Sequence, residues 1–274
     1  MQIELKRIGA FLTFFVMLFS LLKTGCDWEA CKDWINAQKE IPYSLDETAT
    51  EKWEAAVSAI EARYQGDVPQ GKILFYGSSS IRKWTTMQTD LAPLEVLNHG
   101  FGGSSLDDAI YYADRLVFPF APKAVVIYCG ANDFGNSDPE RRKTADRAYA
   151  ATVELLSRLR EQLPGAKLYY IAISPNECFW KYWDEMKTCN LYVRLYCEAH
   201  RNMTFIDTSS VLLDENGKYR RELFGQDGLH FNENGYAAWT SVIRPVLMED
   251  FGAQEVGVFP QESTSALDNY GILC

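Results

Sequence analysis

Residues 73–81 read Ile-Leu-Phe-Tyr-Gly-Ser-Ser-Ser-Ile, an apolar run that ends at a glycine and is followed at once by serines. A continuous apolar run of this length is typical of a strand buried on both faces of a sheet, whereas a half-exposed strand alternates. Gly77 and the serines after it are typical of a turn that leads into a helix. The stretch therefore predicts a buried strand, a tight turn and a helix in direct succession.

Four further apolar runs follow, and segments with helical periodicity separate them. The runs are Val96-Leu97, Ala124–Tyr128, Leu168–Ile173 and Thr204–Ile206. Strands that alternate with helices form a parallel sheet covered by helices on both faces, so we expect a five-stranded parallel sheet in a three-layer α/β/α sandwich. Right-handed crossovers bring the carboxyl ends of such strands to one edge, where active sites of open sheets lie.

Two of the helices have recognisable ends. The Asp-Pro-Glu sequence at 138–140 predicts the start of one helix, because proline is favoured at the first helical position. The Pro-Gly sequence at 164–165 predicts the end of the same helix. Asn232 or Asn234 predicts the start of the last helix, since asparagine is a favoured N-cap.

Composition places the chain among globular proteins and excludes several partners. The 274 residues fit one α/β domain with additions, and 47% apolar residues are ordinary for a folded core. The formal net charge of −10 makes nucleic acid a poor partner, because neutralising phosphates requires a basic face. No two cysteines show the two-residue gap of zinc motifs and the three histidines are scattered, so we expect no metal site.

The first 26 residues are typical of an export signal. Two basic residues precede the uncharged run Ile8–Leu22, which is shorter than the roughly 20 residues of a membrane-spanning helix. The sequence Leu21–Cys26 resembles a bacterial lipobox, from which Lys23 is a departure. We therefore expect export to the bacterial periplasm, as a lipoprotein attached to the membrane through Cys26, as a cleaved secreted protein, or with an uncleaved anchor.

These observations divide the chain into four segments. Before the first strand, Trp53, Val57, Ile60 and Tyr64 recur at helical spacing and predict a helix. The last residues show no such pattern and predict an irregular tail. The segments are an export signal at 1–26, an N-terminal helical extension at 27–71, the main α/β domain at 72–249 and a C-terminal tail at 250–274.

Export would also permit disulfides among the seven cysteines. Cys178 and Cys189 are the first candidate pair, although spacing alone does not determine connectivity. Cys129 lies inside an apolar run, and we expect it to be a small buried side chain.

Polar motifs follow the strands at the edge where an active site is expected. The serines at 78–80 come directly after the first strand, and they could cap the next helix or supply a nucleophile. The glycines of Asn98–Ser105 let backbone N–H groups face a ligand, as in an oxyanion hole, or form a flexible loop. Asn132 follows the third strand, and its amide could donate to an oxyanion or stabilise a polar turn.

The segment Asp227-Gly228-Leu229-His230 places a carboxylate three residues before one of the three histidines. Such a pair can form the orienting half of a nucleophilic triad, in which the other ring nitrogen takes a proton from a serine. Asp-Gly is also a common surface turn, so the tetrapeptide alone leaves both interpretations open. His99, beside the glycine-rich run, is either a packed loop residue or a substrate contact.

Taken in order, the four motifs resemble the blocks of the SGNH hydrolase superfamily, which comprises GDSL-type esterases, lipases and acylhydrolases. The resemblance spans residues 73–247 and implies a flavodoxin-like fold. It also implies that Ser79 is the nucleophile, that His230 is the base and that Asp227 is its partner. The oxyanion hole would consist of the backbone N–H groups of Ser79 and Gly103 and the side-chain amide of Asn132.

One position departs from the family pattern, because Ser78 stands where the family usually has aspartate. That aspartate is not part of the triad, so its replacement removes no catalytic group. It does leave three neighbouring serines, and the two-residue offset from Gly77 selects Ser79 as the nucleophile.

The resemblance implies a serine esterase with an acyl-enzyme intermediate and no cofactor. The sequence shows no extended apolar loop of the kind that forms a lipase lid. This favours a short-acyl substrate such as an acetyl ester on a carbohydrate. Aromatic residues within 174–183 could stack on a sugar or pack against a neighbouring helix. Hydrolysis of lysophospholipids or thioesters, acyl transfer to a glycan and carbohydrate binding without catalysis stay open.

Overall fold

The computed structural model describes residues 43–45 and 51–255, in which five strands form one parallel sheet. The strands are β1 (Ile73–Gly77), β2 (Val96–Gly100), β3 (Ala124–Tyr128), β4 (Lys167–Ile171) and β5 (Met203–Ile206). Their order is β2-β1-β3-β4-β5, the flavodoxin-like arrangement of a doubly wound sheet. The predicted five-stranded parallel sheet is confirmed.

Helices precede the sheet, connect its strands and follow its last strand. They are α1 (Glu54–Glu61), α2 (Ser79–Arg82), α3 (Met87–Asp90), α4 (Leu106–Leu116), α5 (Ala131–Phe134), α6 (Ala145–Gln162), α7 (Trp183–Ala199), α8 (Ser209–Leu212) and α9 (Glu233–Glu255). Short 3₁₀ turns lie at Glu51–Trp53, Ala62–Tyr64, Phe118–Phe120, Trp180–Tyr182 and Arg221–Leu223. Within the described ranges, no helix has the length and apolar composition needed to cross a membrane.

Both faces of the sheet are buried. In β1, Leu74 and Tyr76 pack into the layer that contains α1, α4, α6 and α7, while Ile73 and Phe75 pack into the layer that contains α2, α3 and α9. Successive residues of a strand point to opposite faces, and all four of these side chains are fully buried. This explains why the central strands β1 and β3 are continuously apolar up to the last residue of β1, a glycine, and it confirms the three-layer α/β/α sandwich.

Helix α6 begins at Ala145 and not at the Asp-Pro-Glu sequence at 138–140, so the predicted start was wrong. Thr144 is the N-cap, and its hydroxyl accepts a hydrogen bond from a backbone N–H of the first turn at 3.4 Å. Asp138 instead closes a local turn, because its carboxylate accepts from the N–H of Glu140 at 3.0 Å. An aspartate side chain accepts backbone hydrogen bonds in turns as readily as at helix N-termini, so its presence did not distinguish a turn from a helix start.

Helix α9 begins directly after Asn232, whose side-chain oxygen accepts from a backbone N–H of the first turn at 3.1 Å. The helix continues to Glu255, past the predicted start of the tail at residue 250. Asp250 forms an ion pair with Lys167, and Phe251 is buried. The tail boundary was therefore placed too early, because residues 250 and 251 pack against the sheet.

The helix predicted in the N-terminal extension is α1. Val57 and Ile60 are buried in the same core layer as α4, and Trp53 and Tyr64 pack against that layer from the flanking turns. The predicted export signal at 1–26 lies outside the described residues, as does most of the predicted C-terminal tail.

The four cysteines within the described residues are all free thiols. Cys178 is exposed whereas Cys189 is buried in α7, so the predicted disulfide between them was wrong. The two lie on different sides of the turn that leads into α7, and Cys189 faces the core. Cys129 is fully buried, as predicted.

Candidate active site

The register of the sheet brings three of the predicted motifs to one edge. The last residues of β1, β2 and β3 are level with one another. Ser79, Gly103 and Asn132 lie two, three and four residues beyond these strand ends. All three therefore stand at the carboxyl edge of the sheet, which is the edge that binds ligands in doubly wound folds.

The turn between β1 and α2 depends on Gly77. Its φ of +131° lies in a region that side chains disfavour, and a Cβ there would lie 2.1 Å from the carbonyl oxygen of Tyr128. The backbone N–H of Ser78 donates to that same oxygen at 3.0 Å, and the N–H of Phe101 donates to the Gly77 oxygen at 2.9 Å. The turn is thereby fixed to both neighbouring strands, and Ser79 opens α2 at a defined place.

Ser79, His230 and Asp227 form a continuous line of hydrogen bonds, although the serine and the histidine are 151 residues apart in the chain. The hydroxyl oxygen of Ser79 lies 2.8 Å from Nε2 of His230, and Nδ1 of that ring lies 2.6 Å from Oδ2 of Asp227. An ionised carboxylate only accepts hydrogen bonds, so Nδ1 carries the ring proton and Nε2 can accept from the serine. The structure thus brings together the three residues predicted as nucleophile, base and orienting acid.

The carboxylate of Asp227 is held by the backbone as well as by the ring. Its Oδ1 accepts from the N–H groups of Leu229 at 3.0 Å and His230 at 2.9 Å. Burial by itself would raise the pKa of Asp227, but the hydrogen bonds from the His230 ring and from these two N–H groups hold that pKa well below its ordinary value. Asp227 is therefore an anion that faces Nδ1 throughout the neutral range of pH.

Gly103 and Asn132, the residues predicted to form an oxyanion hole, are direct neighbours. A Cβ on Gly103 would lie 3.8 Å from the side-chain amide nitrogen of Asn132. That amide donates one hydrogen bond to the carbonyl oxygen of Ser104 at 2.9 Å. A primary amide carries two N–H groups, so the second can serve another acceptor.

A buried ion cluster supports the loops behind Asn132. Asp133 is buried and accepts from the N–H of Leu106, the first residue of α4, at 3.0 Å. Lys143 lies 3.1 Å from Asp133 and 2.5 Å from Asp107. Burial raises the pKa of Asp133 to about 6, even though Lys143 acts in the opposite direction. The cluster ties the loop after β3 to the helix that follows the glycine-rich loop.

His99 lies in the core and not at the site. Its side chain is fully buried, Nδ1 donates to the carbonyl oxygen of Leu116 at 2.6 Å, and Nε2 lies 3.0 Å from the hydroxyl of Tyr64. Burial lowers the pKa of His99 to about 4. His99 is therefore a packed residue and not a substrate contact, the two interpretations that the sequence left open.

The loop that follows β4 contacts the segment that carries Asp227 and His230. The backbone N–H groups of Glu177 and Cys178 both donate to the carbonyl oxygen of Gly228, at 3.0 and 3.3 Å. The two loops are therefore joined by main-chain hydrogen bonds at the tip of the Asp-x-x-His segment.

The aromatic side chains of the same loop are engaged with the protein. Trp180 stacks on Trp183 with ring centroids 6.1 Å apart, and it also contacts Tyr219 at 5.1 Å. Phe179 covers Gly135, the residue directly after α5. These rings therefore pack within the protein, which agrees with the second of the two interpretations of the sequence, packing in place of stacking on a sugar.

A cavity of about 230 Å³ opens beside Gly103 and Asn132. Of the described residues that line it, none is leucine, isoleucine, valine, methionine or phenylalanine. Its charged and polar walls include Lys52, Asn136 and Arg147. The carboxylates around it are not gathered into a metal site, since no three His, Cys, Asp or Glu side chains in the described part of the chain are placed to hold an ion.

The flavodoxin-like sheet and the site at its carboxyl edge define an SGNH-type hydrolase, which is the class that the sequence motifs resemble. The chain belongs to the GDSL-like lipase/acylhydrolase family, whose model matches residues 49–238. It is therefore a hydrolase that acts on ester bonds.

Solved structures share this fold at low sequence identity. A GDSL-like lipase of Bacteroides thetaiotaomicron has a TM-score of 0.58 at 16% identity, over 74% of this chain and 98% of that one. A Bacteroides fragilis protein proposed to be an acylhydrolase has a TM-score of 0.62 at 17% identity, over 72% and 97% of the two chains. A carbohydrate esterase family 3 protein of Talaromyces cellulolyticus has a TM-score of 0.50 at 17% identity, over 67% and 99%. No curated protein matches the chain.

Sequence reasoning missed the side chains that support the site. Lys143 and Asp107 belong to no motif, and neither do Glu177 and Arg221, which form an ion pair at 2.6 Å beside Gly228. Charged residues are usually solvated, so nothing in their local sequence distinguishes these four. Only their contacts in the folded structure distinguish them.

Proposed function

We propose that the chain is a serine esterase that hydrolyses short-acyl esters through an acyl-enzyme on Ser79, with acetyl esters of carbohydrates as the substrate class. The line of hydrogen bonds from Ser79 through His230 to Asp227 carries this proposal. A serine hydroxyl is a weak nucleophile unless a base takes its proton during attack, and Nε2 of His230 lies 2.8 Å from the hydroxyl oxygen.

In the first half of the reaction, the Ser79 oxygen attacks the ester carbonyl carbon while Nε2 of His230 takes the hydroxyl proton. Negative charge develops on the carbonyl oxygen, where the backbone N–H groups of Ser79 and Gly103 and the second amide N–H of Asn132 stabilise it. The bond to the alcohol oxygen then breaks, and His230 passes its proton to the departing alcohol. Asp227 stabilises the transient imidazolium through its hydrogen bond to Nδ1.

In the second half, water takes the place of the alcohol. His230 removes a proton from the water as its oxygen attacks the acyl carbon of the acyl-enzyme. The bond between that carbon and the Ser79 oxygen breaks, and His230 returns the proton to the serine. The carboxylic acid leaves and the enzyme regains its starting state.

Two features of the site favour a polar ester with a short acyl group. The cavity beside Gly103 and Asn132, whose described lining includes neither Ser79 nor His230, carries charged and polar side chains that can bond to sugar hydroxyls. The aromatic rings within 174–183 pack against other rings and against Gly135, which limits the apolar surface that they offer to an acyl chain. The carbohydrate esterase of Talaromyces cellulolyticus is built on the same fold, which is compatible with this choice.

The acyl preference is tested with p-nitrophenyl esters from acetate to palmitate and with acetate release from peracetylated glucose. We expect kcat/KM to be highest for acetate and to fall as the acyl chain lengthens, because the charged walls cannot accommodate further methylene groups without desolvation. A preference for palmitate would overturn the short-acyl assignment. Transfer of the acetyl group to an added glycan in place of water would overturn the assignment as a hydrolase of acetyl esters.

The nucleophile is tested with serine-to-alanine variants. Ser79→Ala is expected to lower kcat by roughly 10⁴-fold or more, since removal of a triad nucleophile eliminates the covalent route. The matched controls are Ser78→Ala and Ser80→Ala, which remove buried hydroxyls from the two neighbouring positions and should retain activity. Labelling by a fluorophosphonate probe should disappear only in Ser79→Ala. Activity in Ser79→Ala with loss in either neighbour would reassign the nucleophile.

A further inference from the structure

The segment that carries Asp227 and His230 is a surface loop, yet it has to hold two short hydrogen bonds in place. Within the loop, the N–H of Gly225 donates to the carbonyl oxygen of His230 at 2.8 Å, and the N–H of Gly228 donates to Gly225 at 3.1 Å. These bonds make the loop a compact unit. They do not by themselves fix that unit against the sheet edge where Ser79 lies.

Arg221 fixes the chain that leads into this loop. Its guanidinium donates hydrogen bonds to three successive carbonyl oxygens, those of Phe224, Gly225 and Gln226, at 3.2, 2.8 and 3.2 Å. These are the three residues directly before Asp227. A planar guanidinium presents its donors in fixed directions, so one side chain sets the course of the backbone over three residues.

Glu177 holds Arg221 from the neighbouring loop. Its Oε2 lies 2.6 Å from Nε of Arg221, which leaves the other guanidinium nitrogens for the carbonyl oxygens. The backbone N–H of Glu177 donates to the Gly228 carbonyl oxygen at 3.0 Å. Gly228 has a φ of +62°, and a Cβ there would lie 2.6 Å from the Glu177 carboxylate. Glu177 therefore contacts the chain after Asp227 and orients the side chain that holds the chain before it.

We propose that Glu177 and Arg221 are positioning residues for the Asp227–His230 pair, and that their ion pair keeps His230 within hydrogen-bond distance of Ser79. The inference rests on the proposed function, in which His230 is the base. The Glu177 and Arg221 side chains are 46% and 45% exposed, and exposed ion pairs contribute little to folding. Breaking this pair should therefore change the free energy of unfolding little, and the proposal predicts that its effect falls on catalysis.

The test compares Glu177→Gln and Arg221→Gln with the wild-type enzyme on p-nitrophenyl acetate. A displacement of about 1 Å at a reacting group costs up to 100-fold in rate, so we expect kcat to fall about 10- to 100-fold with KM unchanged. The rate of fluorophosphonate labelling at Ser79 should fall in parallel, because it depends on the same base. Thermal unfolding should be close to that of the wild type.

The matched control is Asp114→Asn. It breaks an exposed ion pair with Arg158, which also has a distance of 2.6 Å and joins the last turn of α4 to α6, away from the site. This variant should keep the wild-type kcat. A loss of kcat in Asp114→Asn as large as in Glu177→Gln would show a general effect of surface charge and overturn the proposal.

The double variant Glu177→Gln/Arg221→Gln tests whether Glu177 acts through Arg221. If Glu177 acts through Arg221, the double variant should be no slower than Arg221→Gln alone, whereas losses that multiply would overturn that order. Wild-type kcat in Arg221→Gln, with Ser79→Ala inactive, would overturn the positioning role and leave the proposed function intact. Full activity in Ser79→Ala would instead overturn the proposed function itself.

Discussion

Replacement of Asp227 by asparagine is the most informative single perturbation of this site. A carboxylate has two equivalent acceptor oxygens, whereas an amide has one acceptor oxygen and one donor NH₂ group, so its orientation matters. Oδ1 of Asp227 accepts from the N–H groups of Leu229 and His230 at 3.0 and 2.9 Å, while Oδ2 faces Nδ1 of the ring at 2.6 Å. In Asp227→Asn, the amide oxygen should take the place of Oδ1, since an NH₂ group there would oppose two donors. The NH₂ group then faces Nδ1 of His230.

A donor opposite Nδ1 favours the tautomer whose proton is on Nε2, and that tautomer cannot accept a proton from Ser79. Loss of a charge-assisted hydrogen bond costs about 1.5–3 kcal/mol, or roughly 10- to 150-fold in rate. The unfavourable tautomer adds to this loss, because in that form Nε2 cannot take the proton of Ser79. We therefore expect Asp227→Asn to lower kcat by roughly 10⁴-fold, and Asp227→Ala, which leaves both tautomers accessible, by roughly 10- to 150-fold.

The assay is kcat for p-nitrophenyl acetate at neutral pH for the wild type and both variants, with circular dichroism as the check on folding. The order of the two variants is the decisive result, because a loss of charge alone predicts equal effects. An Asp227→Asn enzyme that is faster than Asp227→Ala, or that keeps more than about a tenth of the wild-type kcat, would refute the reasoning about the tautomer.

Two further predictions concern stability. Lys143→Met leaves Asp133 buried without its cation, so the free energy of unfolding in urea should fall by about 3–5 kcal/mol at pH 7. The pKa of Asp133 is about 6 in the wild type, above its ordinary 3.8, and Lys143 lowers it, so the pKa should be higher in the variant. Protonation relieves the cost of the buried anion, so the loss should shrink as the pH falls from 7 towards 5. An equal loss at both pH values would contradict the assignment. Gly77→Ala places a Cβ 2.1 Å from the Tyr128 carbonyl oxygen at a φ of +131°, and should lower the free energy of unfolding by more than about 1 kcal/mol. An unchanged melting temperature would show that the turn can relax.

The sheet was predictable because its signals are local. A strand that is buried on both faces has to be apolar at every position, so Ile73–Tyr76 and Ala124–Tyr128 are visible as uninterrupted runs. Alternation with helices then determines that the sheet is parallel and that its carboxyl ends share one edge. The start of α6 was mispredicted for the opposite reason, since Asp138 and Thr144 are both good caps and only packing decides between them.

For the site too, local relations could be predicted from the sequence and long-range ones could not. Asp227 and His230 are three positions apart, so their pairing depends on a single turn and could be predicted from the sequence. The disulfide predicted between Cys178 and Cys189 failed because connectivity depends on the positions of whole elements, and the structure buries only one of the two.

By itself, the sequence determined the strands, the order of the motifs and the chemical groups available at the edge of the sheet, because each of these follows from residues within a few positions of one another. Only the tertiary structure decided that Nε2 of His230 lies 2.8 Å from the hydroxyl of Ser79, and that Arg221 and Glu177 hold the loop between them. These contacts join residues up to 151 positions apart, and their geometry depends on how the layers pack around the sheet. No local pattern encodes a distance of that kind.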